Sequence, residues 1–114
     1  MTIDQLRRVE VEIFRAYRKS NFPDLGQLHW MMLHYILDNS GEPTSQTAIG
    51  EFFNVDRNTS SRVLRRLEAK ELVVREPTPE NLRKLVIKTT SFGREFIQYD
   101  PLKTVVSGKT KGLL

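Results

Sequence analysis

Val55-Asp56-Arg57-Asn58-Thr59-Ser60-Ser61-Arg62-Val63-Leu64-Arg65-Arg66-Leu67-Glu68-Ala69-Lys70 decides how this chain is read. Asp56 offers an N-cap carboxylate, and Ser60, Val63, Leu64 and Leu67 then recur at three- and four-residue steps, which places them on one side of a helix running from Arg57 to about Lys70. Asn58, Arg62, Arg65 and Ala69 fall on the other side. Between positions 57 and 66 there are four arginines and no acid, so the outward face is basic and polar.

Immediately before it, Ala48, Ile49, Phe52 and Phe53 predict the inner stripe of a short helix that starts after Thr44 or Ser45, whose hydroxyl can cap it. Asn54-Val55-Asp56 is a tight connection, so the order is helix, three-residue turn, helix. Further upstream, Leu28 to Asp38 is dense in large apolar side chains and is expected at the centre of the core. Asn39-Ser40-Gly41-Glu42-Pro43 reads as a turn cluster. Ile3 to Lys19 carries Ile3, Leu6, Val9, Ile13, Phe14 and Tyr17 at helical spacing and is broken by Ser20-Asn21-Phe22-Pro23-Asp24.

Downstream, Leu72-Val73-Val74-Arg75 and Leu85-Val86-Ile87-Lys88-Thr89 have the branched residues of strands and predict a hairpin with a long tip. A last helix opens at Thr90 or Ser91, runs to about Tyr99 and is stopped by Asp100-Pro101. The predicted fold class is mainly α (α+β): a winged helix-turn-helix of about five helices plus a two-stranded β-wing. One domain is expected over residues 1–100, with 3–19 as a candidate dimerisation helix and 101–114 as a flexible tail.

Length and composition agree with one modest core: 114 residues, 39% hydrophobic. The net charge of +4 is unevenly spread. Residues 1–56 carry a net −3, residues 57–88 a net +5 and residues 89–114 a net +2. A localised excess of that kind suits a polyanion. There is no cysteine, hence no disulfide, thiolate metal site or thiol catalysis. No apolar run reaches the ~20 residues of a membrane helix and no signal peptide is evident, so a cytoplasmic protein with no membrane partner is expected.

A helix of this length and width fits the major groove of B-DNA. Arg57, Asn58, Thr59, Ser61 and Arg62 supply donors for base edges and phosphates at its N-terminal half, while Arg65 and Arg66 lie nearer the backbone. At the wing tip, Arg83 and Lys84 are placed to reach the minor groove; a surface pair between Arg83 and Glu80 is the plainer alternative.

The segment from Leu25 to about Ile97 resembles the multiple-antibiotic-resistance regulator (MarR) family of winged-helix repressors. Val55-Asp56-Arg57-Asn58-Thr59 is similar to that family's entry to the recognition helix, and Arg62 through Arg75 to its continuation into the first wing strand. Pro79-Glu80-Asn81-Leu82-Arg83-Lys84 falls at the wing tip, and Thr90 with Gly93 at the start of the next helix. The resemblance implies that Arg83 is the minor-groove arginine and Arg62 a recognition-helix contact. Three departures stand out. Asn81 replaces the aspartate that usually orients the wing arginine, which reduces a charge pair to a hydrogen bond. Glu71 replaces a glycine at the helix end and must strain into, or avoid, a left-handed angle. Finally, the long C-terminal helices that dimerise the family and wall its ligand pocket are shortened or missing, which weakens the expectation of a small-molecule effector and moves dimerisation to the first helix, the final helix and the tail.

His29 and His34 lie five apart, the wrong spacing for one metal-binding face, and no cysteine or carboxylate pair completes a site. Trp30, Met31, Met32 and Tyr35 read as core. No phosphate loop or activated nucleophile is apparent, so no enzyme and no cofactor are expected. The expectation is a homodimeric, sequence-specific double-stranded DNA-binding regulator, a repressor by the resemblance. Two other readings use the same fold: a protein-interaction or replication/mobile-element accessory module, and an RNA binder, the latter weakened by aromatics that sit in core-like positions.

Overall fold

In the computed structural model, residues 1–39 and 42–113 are described, the last six by backbone alone. The elements are α1 (Ile3–Arg18), α2 (Gln27–Asp38), α3 (Gln46–Phe53), α4 (Arg57–Ala69), β1 (Val73–Pro77), β2 (Leu85–Thr89), α5 (Ser91–Phe96), a 3-10 turn over Ile97–Tyr99, and α6 (Leu102–Leu113). This is a winged helix-turn-helix. Of the expected turn at 39–43, Ser40 and Gly41 lie outside the described residues. Two compact units form, one from residues 28–97 and one from residues 1–27 with 98–114.

Within the unit of residues 28–97, the core is built from Trp30, Met32, Leu33 and Ile36 of α2 together with Ile49, Leu64, Leu67, Leu72 and Ile87. The Trp30 and Phe96 rings stack with centroids 5.3 Å apart. The inner stripe of α3 differs from the expected one. Ile49 and Gly50 are buried, Phe53 is half-buried, Ala48 is exposed, and Phe52 is 63% exposed against Tyr35. The cause is Gly50. A Cβ there would stand 3.4 Å from Ser60 Oγ and 3.5 Å from the Val55 carbonyl, so α3 turns Gly50 toward Ser60 of α4 and leaves room there for little more than a methyl group. Met31 of α2 is likewise surface-facing rather than core.

Ser45 caps α3 through the Ala48 amide, and Asn54 closes it in the left-handed region at φ 54°, a conformation asparagine tolerates better than most side chains. At the far end of α4 the Leu72 amide donates to the Leu67 carbonyl at 2.9 Å and the Glu71 amide to the Glu68 carbonyl at 2.9 Å. This is a Schellman motif, and it holds Glu71 at φ 61°. The glutamate therefore adopts the strained angle instead of avoiding it.

β1 and β2 pair antiparallel with Val73 opposite Thr89 and Pro77 opposite Leu85. A third segment joins them: the Ile87 amide donates to the Thr44 carbonyl at 2.7 Å, a one-residue bridge on the outer edge of β2. Thr90 ties the wing's exit to its entrance, since its hydroxyl accepts from the Gly93 amide and donates to the Glu71 carbonyl at 2.6 Å.

In the other unit, Thr2 and Gln5 form a capping box at the start of α1, and α1 packs on α6. The loose tail expected beyond residue 100 is replaced by α6. Proline cannot continue the preceding helix but is well suited to a first turn, and Asp100 supplies the cap: its Oδ1 accepts from the Leu102 amide at 2.9 Å. Asp100 is buried, as is Val105 on α6. Tyr17 of α1 donates its hydroxyl to the same Asp100 Oδ1 at 3.2 Å; burial first, and then the Asp100 charge, raise the phenol's pKa.

Candidate nucleic-acid interface

The helix α4 presents its polar face because four positions on the opposite side are taken by the core: Ser60, Val63, Leu64 and Leu67 are all buried. Ser60 is polar yet buried because its hydroxyl donates to the Arg57 carbonyl one turn back. Arg57, Asn58, Arg62, Arg65 and Arg66 are exposed, and Thr59 and Ser61 are half-exposed. Asp56 fixes where this surface begins, its Oδ1 accepting from the Thr59 amide at 2.6 Å. The hydrogen bond from the Thr59 side chain, then that from its backbone, holds the Asp56 carboxyl below its ordinary range, and the Arg62 charge adds to this.

The wing tip is ordered by short-range bonds. Thr78 and Lys84 meet through the Thr78 amide and Lys84 carbonyl at 3.0 Å, and the Thr78 hydroxyl donates to the Asn81 carbonyl at 2.8 Å. Asn81 Oδ1 accepts from the Arg83 backbone amide at 3.0 Å. The side chain at position 81 thus fixes the backbone under Arg83, not its guanidinium. Arg83 and Lys84 are exposed, and the plainer pairing of Arg83 with Glu80 does not form among the described residues.

Two grooves bring these groups together. One of about 730 Å³ is lined by Ser45, Thr47, Arg57, Arg75, Arg83, the acid Glu51 and other residues of α3, the turn after it, α4 and β2. The second, of about 450 Å³, is lined by Gln46, Arg57, Asn58, Ser61, Arg65, Glu68 and Arg75. Arg57 and Arg83 therefore share one concave surface, and Arg57, Asn58, Ser61 and Arg65 share its neighbour. Arg62, Arg66, Thr59 and Lys84 line neither groove. Sequence reasoning missed Arg75 and Gln46. Arg75 Nε donates to Glu68 Oε1 at 2.7 Å and its Nη1 to Gln46 Oε1 at 3.0 Å. The one signal in the sequence was Glu68, the lone acid in a strongly cationic helix.

The model of the MarR family matches residues 24–84. The chain belongs to the MarR family. No curated protein matches its sequence. Among solved structures, a mutant of MepR from S. aureus bound to an oligodeoxyribonucleotide is similar at TM-score 0.77 and 22% identity, over 99% of this chain and 82% of that one. An S. aureus MepR–DNA complex is similar at 0.66 and 16%, over 96% and 82%. The transcriptional regulator SlyA is similar at 0.67 and 23%, over 95% and 78%. At these identities the likeness is one of fold. As a MarR-family member the chain falls among DNA-binding transcription regulators. No described helix is long and apolar enough to cross a membrane.

Proposed function

We propose that this MarR-family chain is a homodimeric repressor that reads double-stranded DNA with α4 in the major groove and the wing at the minor groove. The observation that carries the reading is the shared groove of Arg57 and Arg83: cations from the first turn of α4 and from the wing tip open onto one concave surface. Arg62, Asn58, Thr59 and Ser61 take base edges in this reading, Arg65 and Arg66 take phosphates, and Arg83 with Lys84 takes the minor groove. α4 spans 13 residues, about 20 Å at ~1.5 Å per residue, enough to lie along one groove. Two of the similar structures hold DNA.

Dimerisation is supported by α1. Its apolar side chains Ile3, Leu6, Val11 and Phe14 are all more than half exposed, Phe14 at 65%, and an apolar row of that length on a helix calls for a partner. A two-fold pair would set two recognition helices about 34–36 Å apart, one turn of DNA.

Selection of bound sequences from a random duplex pool tests the reading, and an inverted repeat is the expected product. Arg62→Ala should then weaken specific binding and relax base preference, whereas Arg83→Ala or Lys84→Ala should weaken binding more uniformly and flatten its salt dependence. Equal losses from all three, blind to sequence, would contradict this division of roles. A monomer by sedimentation at high micromolar concentration would remove the dimer.

A further inference from the structure

Arg75 stands between the two grooves and lines both. It belongs to β1, yet its guanidinium reaches the first residue of α3, Gln46, and the last turn of α4, through Glu68. Three elements meet at one side chain. The pair is partly sheltered, with side chains 25% and 33% exposed, and it has the forked geometry that arginine supplies and lysine cannot. The exposed pair between Lys88 and Glu76, 3.0 Å apart, spans only the two wing strands. Glu68 is also the one carboxylate of α4, so it stands where a polyanion would be repelled unless a cation covered it.

We propose that Arg75 is a positioning residue for DNA recognition: it braces the wing against both helices of the helix-turn-helix and neutralises Glu68. The inference rests on the DNA-binding reading above for its consequence, but the brace itself does not depend on DNA. Because Arg75 already has a carboxylate partner, it contributes little to phosphate binding. Its effect is to hold Arg83 and the α4 side chains at one separation, so that both engage the same duplex.

The two roles separate by experiment. If Arg75 bound a phosphate directly, Arg75→Ala would lower the salt slope by about 1 and leave base preference intact. A brace does the reverse: the slope barely moves, while the ratio of specific to random-duplex affinity falls about tenfold, the worth of one base contact. Glu68→Ala, which leaves Arg75 Nε without its acceptor, sharpens the contrast. Deleting an acid from a DNA-facing helix should raise affinity for random duplex, yet the same specific-to-random ratio should fall. Arg75→Lys keeps a charge near Glu68 but cannot also hold Gln46, and should recover the ratio only in part.

The brace is measured without DNA in the full chain. It has no cysteine, so spin labels on Leu82→Cys at the wing tip and Ala69→Cys on α4, both exposed positions, report one distance. The distribution should be narrow in the parent and broader with Glu68→Ala or Arg75→Ala, provided circular dichroism confirms that each is folded. Equal widths would overturn the inference whatever the DNA result, as would a reduced salt slope with unchanged base preference. A narrow parent distribution broadened by the variants, in a protein that binds no duplex, would uphold the brace and overturn the DNA reading.

Discussion

Asn81 Oδ1 accepts a hydrogen bond from the backbone amide of Arg83 at 3.0 Å. The turn at the wing tip is thus an Asx-type turn, in which a side-chain oxygen stands in for a backbone carbonyl. A carboxylate would serve as well, because the interaction uses an acceptor and not an amide. Asn81→Asp should therefore keep the Arg83 amide protected in hydrogen exchange, while Asn81→Ala should expose it. Equal exchange in both variants would show that the side chain does not hold the turn.

Glu71 at φ 61° closes the Schellman motif at the cost of a side chain in the left-handed region. Relief of that strain exceeds the extra chain entropy of glycine. Glu71→Gly should raise stability by about 1 kcal/mol, roughly a 4 °C increase in Tm for a domain of this size. A lower Tm would mean that the glutamate side chain contributes more than its backbone angle costs.

Gly93 faces the opposite constraint. A Cβ there would lie 2.1 Å from the Leu72 carbonyl oxygen, and backbone cannot give way as a flexible side chain can. Gly93→Ala should cost about 3 kcal/mol or more, read as a fall in the urea midpoint. A midpoint within error of the parent would mean that α5 can slide away from the corner at low cost.

The Asp56 cap makes a pH-dependent contribution. Its carboxyl titrates below the ordinary 3.8 in the folded chain, so folding favours the ionised form. The resulting stability is fully present above the unfolded-state pKa and is lost as pH falls through that value toward the lowered one. Asp56→Asn keeps an acceptor that does not titrate, so its Tm should fall less than the parent's between pH 5 and about pH 3. Parallel Tm curves would show that the cap does not sense its own charge.

Most of α4 was legible because burial and capping there follow local chemistry: Ser60, Val63, Leu64 and Leu67 point inward, Asp56 caps, and the arginines face outward. β2 was equally plain as a run of branched residues between turn signals. What escaped depends on contacts far apart in the chain. Phe52 looked like core because its spacing from Ile49 is helical, but the buried residues of α3 are Ile49 and Gly50, and a hydrophobic pattern does not count a glycine. The partnership of Thr44 with Ile87 joins positions 43 residues apart by backbone alone, so side-chain identity carried no trace of it. α6 was missed because Asp100-Pro101 signals the end of one helix and the start of another with the same two residues, and the glycines beyond it argued for a loose chain.

For the site, the residue types and the cationic face were readable, while the distribution among grooves was not. Arg83 and Arg57 are 26 positions apart and line one groove only because the fold brings the wing beside the start of α4. Arg75 was invisible for a related reason: in the sequence it is one more strand residue, and only the fold sets it beside Glu68 and Gln46.

The single rung between Thr44 and Ile87 also bears on how the protein behaves when crowded. A two-stranded ribbon has two open edges, each a template on which another chain can lay a strand. Here the β2 edge is occupied at its middle residue, and the β1 strand ends in Pro77, which has no amide to offer. A second hairpin finds neither side ready, so concentrated solutions of the folded protein should resist ribbon-to-ribbon aggregation.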